Sequence, residues 1–321
     1  MSIWLWWIGC GGLVLFYETQ KCGIISYRRF TIVFQQESPL PSQVIETLPK
    51  LQQFVADCKE HRKSIGVVPT MGALHAGHLS LAKASLSQTD VTIVTIFVNP
   101  TQFAPMEDLA AYPRNLEDDL QQLGQLGDVV VFAPSEADVY PADATTQVIP
   151  PSIAKKLEGE FRPTHFAGVA TVVLKLLNMT QADKAFFGQK DFQQVAVVKQ
   201  MVKDLNVPCE ICACPIVRDA DGLALSSRNA YLSEEERAIA LTLNKTLDEI
   251  ESLIKSGLTD GFELITEMRQ MLIDGGVDVI DYAVVANPVD LETCDPIRLP
   301  VVALIAAHVG KTRLIDNRII D

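Results

Sequence analysis

From Val44 onward, apolar positions recur with two alternating periods, and the alternation predicts helices and strands in turn. The segment LPKLQQFVADCKEH spaces Leu48, Leu51, Val55 and Cys58 as one helical face, and IGVVP follows as a short buried strand. LSLAKASLSQ predicts a helix with Leu79, Ala82 and Leu86 on one side. VTIVTIFVN is a nearly continuous β-branched run, as expected of a parallel strand buried on both faces. NLEDDLQQLGQL predicts a helix through Leu116, Leu120 and Leu123, with DVVVFAP as the next strand. GVATVVLKLLNMTQ is too long for one strand and is assigned helix despite its valines. KAFFG, DFQQVAVVKQMVKDL and VPCEICACPIVR then predict strand, helix and strand. This rhythm implies an α/β fold, a doubly wound parallel, Rossmann-like sheet with right-handed crossovers.

The texture changes after Arg228. Ser233 with Glu236 three residues later is a capping box, opening a long helix to about Lys255. GFELITEMRQMLIDGG predicts a second helix ending on glycines. VDVIDYAVVAN, VVALIAAHV and TRLIDNRII then predict three strands. The expected organisation is therefore residues 44–214 as a Rossmann-like domain and 215–321 as a smaller C-terminal α+β domain, with a hinge near Pro215–Arg218. Residues 1–43 are expected to form an apolar leader and linker, the linker at QQESPLPSQ. The apolar run from Ile3 to Tyr17 is shorter than the roughly 20 residues that span a bilayer. It also lacks the basic start of a secretory signal. A membrane-associating leader and a start set upstream of the folded protein both remain open.

Hydrophobic residues make up 48 % of the 321 residues and charged ones 21 %, as in globular proteins. A net charge of −13 argues against a nucleic-acid scaffold, since phosphate backbones are held by Lys and Arg. It leaves room for a small anionic substrate in a locally basic cleft. The seven cysteines show one cluster, CEICAC, in which Cys209 and Cys212 have the spacing of half a zinc site. No second pair completes it, so buried strand thiols in a reducing, cytoplasmic compartment are the expectation.

The candidate chemistry lies in PTMGALHAGH, residues 69–78, which holds two of the five histidines. It connects a predicted strand to a predicted helix. Ligands of doubly wound sheets bind beyond the carboxyl ends of the strands, and a helix N-terminus offers free N–H groups to an anion. His75 and His78, three apart, can both point at that place and stabilise phosphate charge. Capping or packing histidines are the alternative. Neither a dinucleotide-binding glycine fingerprint nor a Walker A sequence is present.

HAGH resembles the H-x-G-H signature of nucleotidyl-transferring enzymes. VPTMGALHAGHLSL, IFVNPTQF, YPRN, RPTHFAGVATVVLKL, FFGQKDFQQ and DGLALSSRN resemble, in order, the motifs of the pantothenate synthetase (pantoate–β-alanine ligase) family. The likeness runs from about Val44 to Asn317. It implies ATP-dependent condensation of pantoate with β-alanine through an acyl adenylate, giving AMP and pyrophosphate, in a cytoplasmic homodimer without a nucleic-acid partner. Adenylation makes chemical sense, because oxide is too poor a leaving group for direct attack of an amine on a carboxylate.

Residue roles follow by the same resemblance. Met71, Gly72, Ala73, Leu74, His75, Ala76, Gly77 and His78 line the nucleotide cleft, with His78 the family's proton donor. Lys190 and Arg228 neutralise phosphates, Ser226 and Ser227 add hydroxyls, and LSSR stands for the mobile K-M-S-K-S loop of the wider class. Asp191 takes a ribose hydroxyl beside Gly188 and Gln189, and Val217 meets the adenine, with Leu225 nearby. Gln102 and Gln194 bind pantoate, and Gln102 also β-alanine; amides suit an acid that carries a hydroxyl. Asn99, Tyr112, Arg162 and His165 match wall and gate positions. Asp118, Asp119 and Gln122 match a magnesium-proximal run, although an acidic helix face is the plainer reading of EDD. The chain departs from the family at Ala76, Gln189 and Leu225, none of which carries assigned chemistry. An adenylyl transferase that stops at a nucleotide product, and a membrane-tethered regulator without turnover, are the rival expectations.

Overall fold

The computed structural model describes residues 3–8, 12–21, 24–33, 43–103, 109 and 112–321, with side chains from residue 43 onward. Two compact units divide the chain, Met1–Pro39 and Leu40–Asp321. In the first, β1 (Ile3–Ile8), β2 (Gly12–Lys21) and β3 (Ile24–Val33) form an antiparallel sheet in that order. Ile8 pairs with Gly12, and Lys21 with Ile24. The sequence predicts no element there; strands suit its aromatic and β-branched composition. The predicted linker lies outside the described residues except for Gln43. Among the described residues no helix is long and apolar enough to cross a membrane.

The second unit opens with β4 (Gln43–Ile45), α1 (Leu48–Glu60), β5 (Ile65–Thr70), α2 (Ala76–Leu86) and β6 (Val91–Ile96). It continues with α3 (Leu116–Gly124), β7 (Val129–Phe132), α4 (Glu136–Val139), α5 (Glu158–Phe161) and α6 (His165–Thr180). Then come β8 (Lys184–Gly188), α7 (Phe192–Asp204) and β9 (Glu210–Cys214). The six strands pair in parallel, in the order β4-β7-β6-β5-β8-β9. From the centre the chain lays β6 and β7 on one side of β5, then crosses to lay β8 and β9 on the other. The order therefore reverses between β5 and β8, the place where such sheets open a crevice.

Alternation along β5 explains the burial of both faces. Ile65 and Val67 join a core with α1, α6 and α7, whereas Val68 joins one with α2 and α3. Two helical faces differ from expectation. In α2 the buried residues are Leu81, Ala82 and Ser85, with Leu79 and Leu86 only partly covered. In α3 they are Asp119, Leu123 and Gly124, while Leu116 is exposed.

The remainder is α8 (Glu234–Lys255), α9 (Gly261–Asp274), β10 (Val279–Ala286), β11 (Val301–Val309) and β12 (Thr312–Ile320). The predicted capping box between Ser233 and Glu236 is formed at the start of α8. The three strands make an antiparallel sheet in sequence order. Val301, Ala303, Ile305 and Ala307 of β11 face α8 and α9. Val302, Leu304 and Ala306 face the other way, onto Ile153, Phe166 and Val197. The period of two thus binds this sheet to its own helices and to the six-stranded half at once.

Candidate active site at the strand reversal

The turn after β5 needs two left-handed residues, Gly72 (φ +82°) and Ala73 (φ +51°). A Cβ on Gly72 would lie 2.9 Å from an oxygen of Asp119 and 3.2 Å from Ile96, so glycine is required there on both counts. The turn delivers His75 to the N-cap of α2, where its Nδ1 accepts from the Gly77 N–H at 3.1 Å. With Nδ1 used as an acceptor, a neutral His75 carries its proton on Nε2. The His78 ring lies 4.1 Å from that of His75, centroid to centroid. Its Nδ1 is buried and finds no hydrogen-bond partner among the described residues.

Electrostatics keep both rings neutral. Burial, with His75 and Lys190 alongside, lowers the His78 pKa to about 3. Burial and Lys190 lower that of His75, with Asp191 pulling the other way. Lys190 follows β8 in a 3₁₀ turn, Gln189–Asp191, across the reversal from the histidines. Burial and Arg228 lower its pKa, opposed by Asp191 and Asp316. Two imidazoles and two basic side chains, Lys190 and Arg228, therefore line one crevice.

The other wall carries amides. Asn99, buried, donates from Nδ2 to Gln102 Oε1 (3.0 Å) and to the Gly168 carbonyl (3.3 Å). Its Oδ1 accepts from the hydroxyls of Thr101 and Tyr140, both at 2.9 Å. Gln102 is thereby aimed at Met71, whose sulfur its amide reaches at 3.2 Å. His165 Nδ1 donates to the Gln102 carbonyl at 3.0 Å, leaving Nε2 to accept from Arg162 at 3.3 Å. This is the opposite tautomer to that of His75.

One cleft gathers most of the residues singled out in the sequence. Met71, His75, Gly77 and His78 line it from the β5 side, and Gly188, Lys190, Asp191 and Gln194 from the β8 side. Gln102, Tyr112, Arg162 and His165 complete the amide wall. Val217, Leu225, Ser226, Ser227 and Arg228 close it from the segment after β9. Val217 is brought there by a tight hairpin, in which Leu225 N–H donates to the Val217 carbonyl at 3.0 Å.

Other expected residues are placed elsewhere. Gly72, Ala73 and Leu74 shape the turn without lining the cleft, and Leu74 belongs to the core under α2. Ala76 is exposed, and Gln189 turns toward Asn317. Asp118, Asp119 and Gln122, expected near magnesium, are also absent from the lining. Both Asp119 oxygens accept from backbone N–H groups, those of Ala73 (3.1 Å) and Leu74 (2.7 Å). Asp118 pairs with Asn115, and Gln122 donates to the Leu74 carbonyl at 3.3 Å. These three do not fit a cation, which needs converging free oxygens. Among the described residues no group of three or more His, Cys, Asp or Glu side chains gathers for a metal. The half zinc site fails for a simple reason: Cys209 and Cys212 fall on opposite sides of the sheet. Burial also pushes the Cys209 thiol up to about 12, away from its metal-binding form.

The sequence reading missed the supports behind the cleft. Asn317 of β12 donates both amide hydrogens to the carbonyls of Gln189 (3.0 Å) and Lys190 (2.9 Å). The neighbouring Asp316 takes both arms of Arg218, at 2.7 and 3.0 Å. Glu158, 7 % exposed, accepts from both terminal nitrogens of Arg313 and from the Tyr282 hydroxyl, each at 2.8 Å. These links tie the C-terminal sheet to residues around the cleft over 98 to 155 residues of sequence, and no local pattern announces them.

Comparison with known proteins places this geometry. The family model for pantoate-beta-alanine ligase matches residues 43–319. The chain belongs to that family. The pantothenate synthetase of Acetivibrio thermocellus is 49 % identical over 279 residues, covering 87 % of this chain and 99 % of its own. Pantothenate synthetase 1 of Bradyrhizobium diazoefficiens is 49 % identical over 280 residues, covering 87 % and 98 %. Among solved structures, a pantothenate synthetase from Thermus thermophilus superposes with a TM-score of 0.81 at 36 % identity, covering 86 % of this chain and 98 % of its own. A Francisella tularensis pantoate-beta-alanine ligase, described as complexed with beta-gamma ATP and beta-alanine, gives 0.72 at 37 %, covering 86 % and 97 %. The solved pantothenate synthetase thus shares the fold described above over 86 % of this chain.

Proposed function

We propose that this ligase binds ATP and pantoate in the one cleft and joins them as pantoyl adenylate, which β-alanine then converts to pantothenate. The observation that carries this reading is the cleft's division of labour. Neutral histidines, Lys190 and Arg228 line the same cleft as the amides of Gln102 and Gln194. A pantoate carboxylate oxygen attacks the α-phosphorus of ATP, and pyrophosphate leaves. The β-alanine amine attacks the acyl carbon, loses a proton, and AMP departs.

The residues divide these tasks by their chemistry. Nε2–H of His75, the N–H groups at the start of α2 and His78 donate to phosphate oxygens. Lys190 and Arg228 supply the positive charge for pyrophosphate, with Ser226 and Ser227 adding hydroxyl donors. Asp191 accepts from a ribose hydroxyl beside Gly188, and Val217 meets the base. Gln102 and Gln194 hold the hydroxy acid, and holding acid and nucleotide together removes most of the entropic barrier to their meeting. Residues 44–214 act as the binding half and residues 215–321 as a lid hinged near Pro215–Arg218. Cytoplasmic location and a homodimer belong to the same reading. Magnesium enters with ATP as its counter-ion, and no step here depends on a protein-bound metal.

The test is pantoate-dependent exchange of labelled pyrophosphate into ATP, with magnesium and without β-alanine. Exchange is expected, and adding β-alanine should divert the adenylate to pantothenate. A folded, ATP-binding sample that shows no exchange overturns the reading.

A further inference from the structure

The first turn of α3 carries three consecutive acids, Glu117, Asp118 and Asp119. Two of them behave as surface acids at a helix start, where the helix dipole favours them. The third is different. Asp119 is 2 % exposed, and each of its oxygens accepts one backbone N–H, from Ala73 and from Leu74. One turn on, Gln122 donates to the Leu74 carbonyl. Three polar groups of two successive residues in the turn after β5 are thus held by α3, a helix more than 40 residues away in sequence.

That turn has a cost that something must offset. Ala73 sits at φ +51°, where a residue with a Cβ is strained by roughly 1–2 kcal/mol. Gly72 beside it lacks the Cβ that would run into Asp119. A carboxylate accepting two N–H groups is the strong, charge-assisted kind of hydrogen bonding. It suffices to hold such a turn in the conformation that places His75 at the N-cap of α2. Asp119 is also pushed up in pKa by burial, against the pull of those two bonds, so its charge is kept at some expense.

We propose that Asp119, assisted by Gln122, is a positioning residue that braces the nucleotide-binding turn, and that it does not ligate magnesium. A buried carboxylate with both oxygens already engaged has no room for a cation and the waters a magnesium ion keeps. The inference rests on ATP binding at His75–His78.

Asp119→Asn keeps the volume but turns an amide donor toward one of the two N–H groups. The expected results are a KM for ATP raised about ten- to hundred-fold, an unchanged KM for pantoate, and faster hydrogen exchange at the Ala73 and Leu74 amides. The dependence of rate on free magnesium at saturating ATP should stay where it is in the parent. Mn²⁺ titrated into the nucleotide-free parent and followed by electron paramagnetic resonance should show no bound ion that the variant lacks. Gln122→Ala, which leaves the carboxylate in place, should show the same pattern more weakly and serves if Asp119→Asn does not fold. A bound Mn²⁺ lost in the variant, or a free-magnesium curve shifted to higher concentration, overturns the inference. So does an unchanged ATP KM with unchanged exchange at residues 73 and 74. Failure of the parent to bind ATP would instead sink the function proposed above, while the amide exchange would still report on the brace.

Discussion

Replacing Gly168 with alanine asks whether the pantoate-side wall is set by contact between two backbones. Gly168 lies in the first turn of α6, against the segment that carries Gln102. An ideal Cβ there would stand 2.4 Å from the Thr101 carbonyl oxygen, 2.5 Å from its carbon and 2.6 Å from the Gln102 nitrogen. Ordinary contact begins at 3.4 Å, so helix and segment must separate by about 1 Å. No flexible side chain can absorb this, because every atom met belongs to the main chain. The separation would also stretch the bonds from Asn99 to the Gly168 carbonyl and from His165 to the Gln102 carbonyl.

Two stability effects oppose each other in this variant. Alanine in a helix gains about 1 kcal/mol over glycine, and overpacking costs about 1–3 kcal/mol. The net loss is therefore about 0–2 kcal/mol, modest for a domain of this size. Activity should suffer more, because a 1 Å misplacement can cost on the order of 100-fold in rate. The assay is kcat/KM with pantoate varied, alongside ATP binding by calorimetry and a thermal melt. The expected result is a loss on the order of 100-fold in kcat/KM for pantoate, with ATP affinity near that of the parent. Parent-like kcat/KM, or a raised Tm from the helix propensity alone, would refute the reasoning.

The titration of His78 gives a second expectation. Its pKa is about 3 when folded against 6.5 as the ordinary value, so between these the unfolded chain binds more protons. Stability therefore falls as pH drops through 6.5, and between pH 7 and 5 the loss from this group is about 2 kcal/mol. Urea unfolding at both pH values should show that difference shrink in His78→Gln; equal differences in the two proteins would count against it. Asn317→Ala removes both amide donors from the Lys190 turn and should raise the KM for ATP about ten- to hundred-fold, by steady-state kinetics; an unchanged KM would show that the turn stands unaided.

How much of this was legible follows from how far each partner lies along the chain. The longer helices and strands of the second unit were readable because periods of 3.6 and 2 are local, whereas the one-turn helices α4 and α5 were not. Strand β4 was not, being three residues long with only Ile45 buried. The face of α2 was misread because the helix is apolar nearly all round and its pattern cannot choose a side. The choice is made by Gly66, whose absent Cβ would lie 2.2 Å from Ser85 Oγ. The helix sits so close to β5 there that small residues, not Leu86, must face inward. The histidines, Lys190 and Gln102 were visible as motifs tied to predicted strand ends. Asp119 was picked out only by resemblance, as magnesium-proximal, and Asn317 not at all, because their partners, Ala73 and Lys190, are 46 and 127 residues away. An acid at a helix start, and an asparagine in a strand, look the same in sequence whether they face water or hold a catalytic turn.

The neutrality of the two histidines follows from the same crowding that makes the site. Two unit charges about 4 Å apart repel by about 4 kcal/mol at an effective dielectric constant of 20, and the rings of His75 and His78 are 4.1 Å apart. Lys190 stands on the far side of the reversal, and Arg228 in turn disfavours the charge of Lys190. A protonated imidazole would add a further positive charge beside Lys190 and Arg228, with Asp191 pulling the other way. Neutral rings escape this, because each offers an N–H without a charge. The hydrogen bond from Gly77 to His75 leaves a neutral ring only one place for its proton, Nε2. The His75 donor is therefore set before any ligand enters, and the positive charge is left to Lys190 and Arg228. A site built this way should bind phosphates through cations and orient them through histidines, two tasks that substitutions at the two kinds of residue can separate.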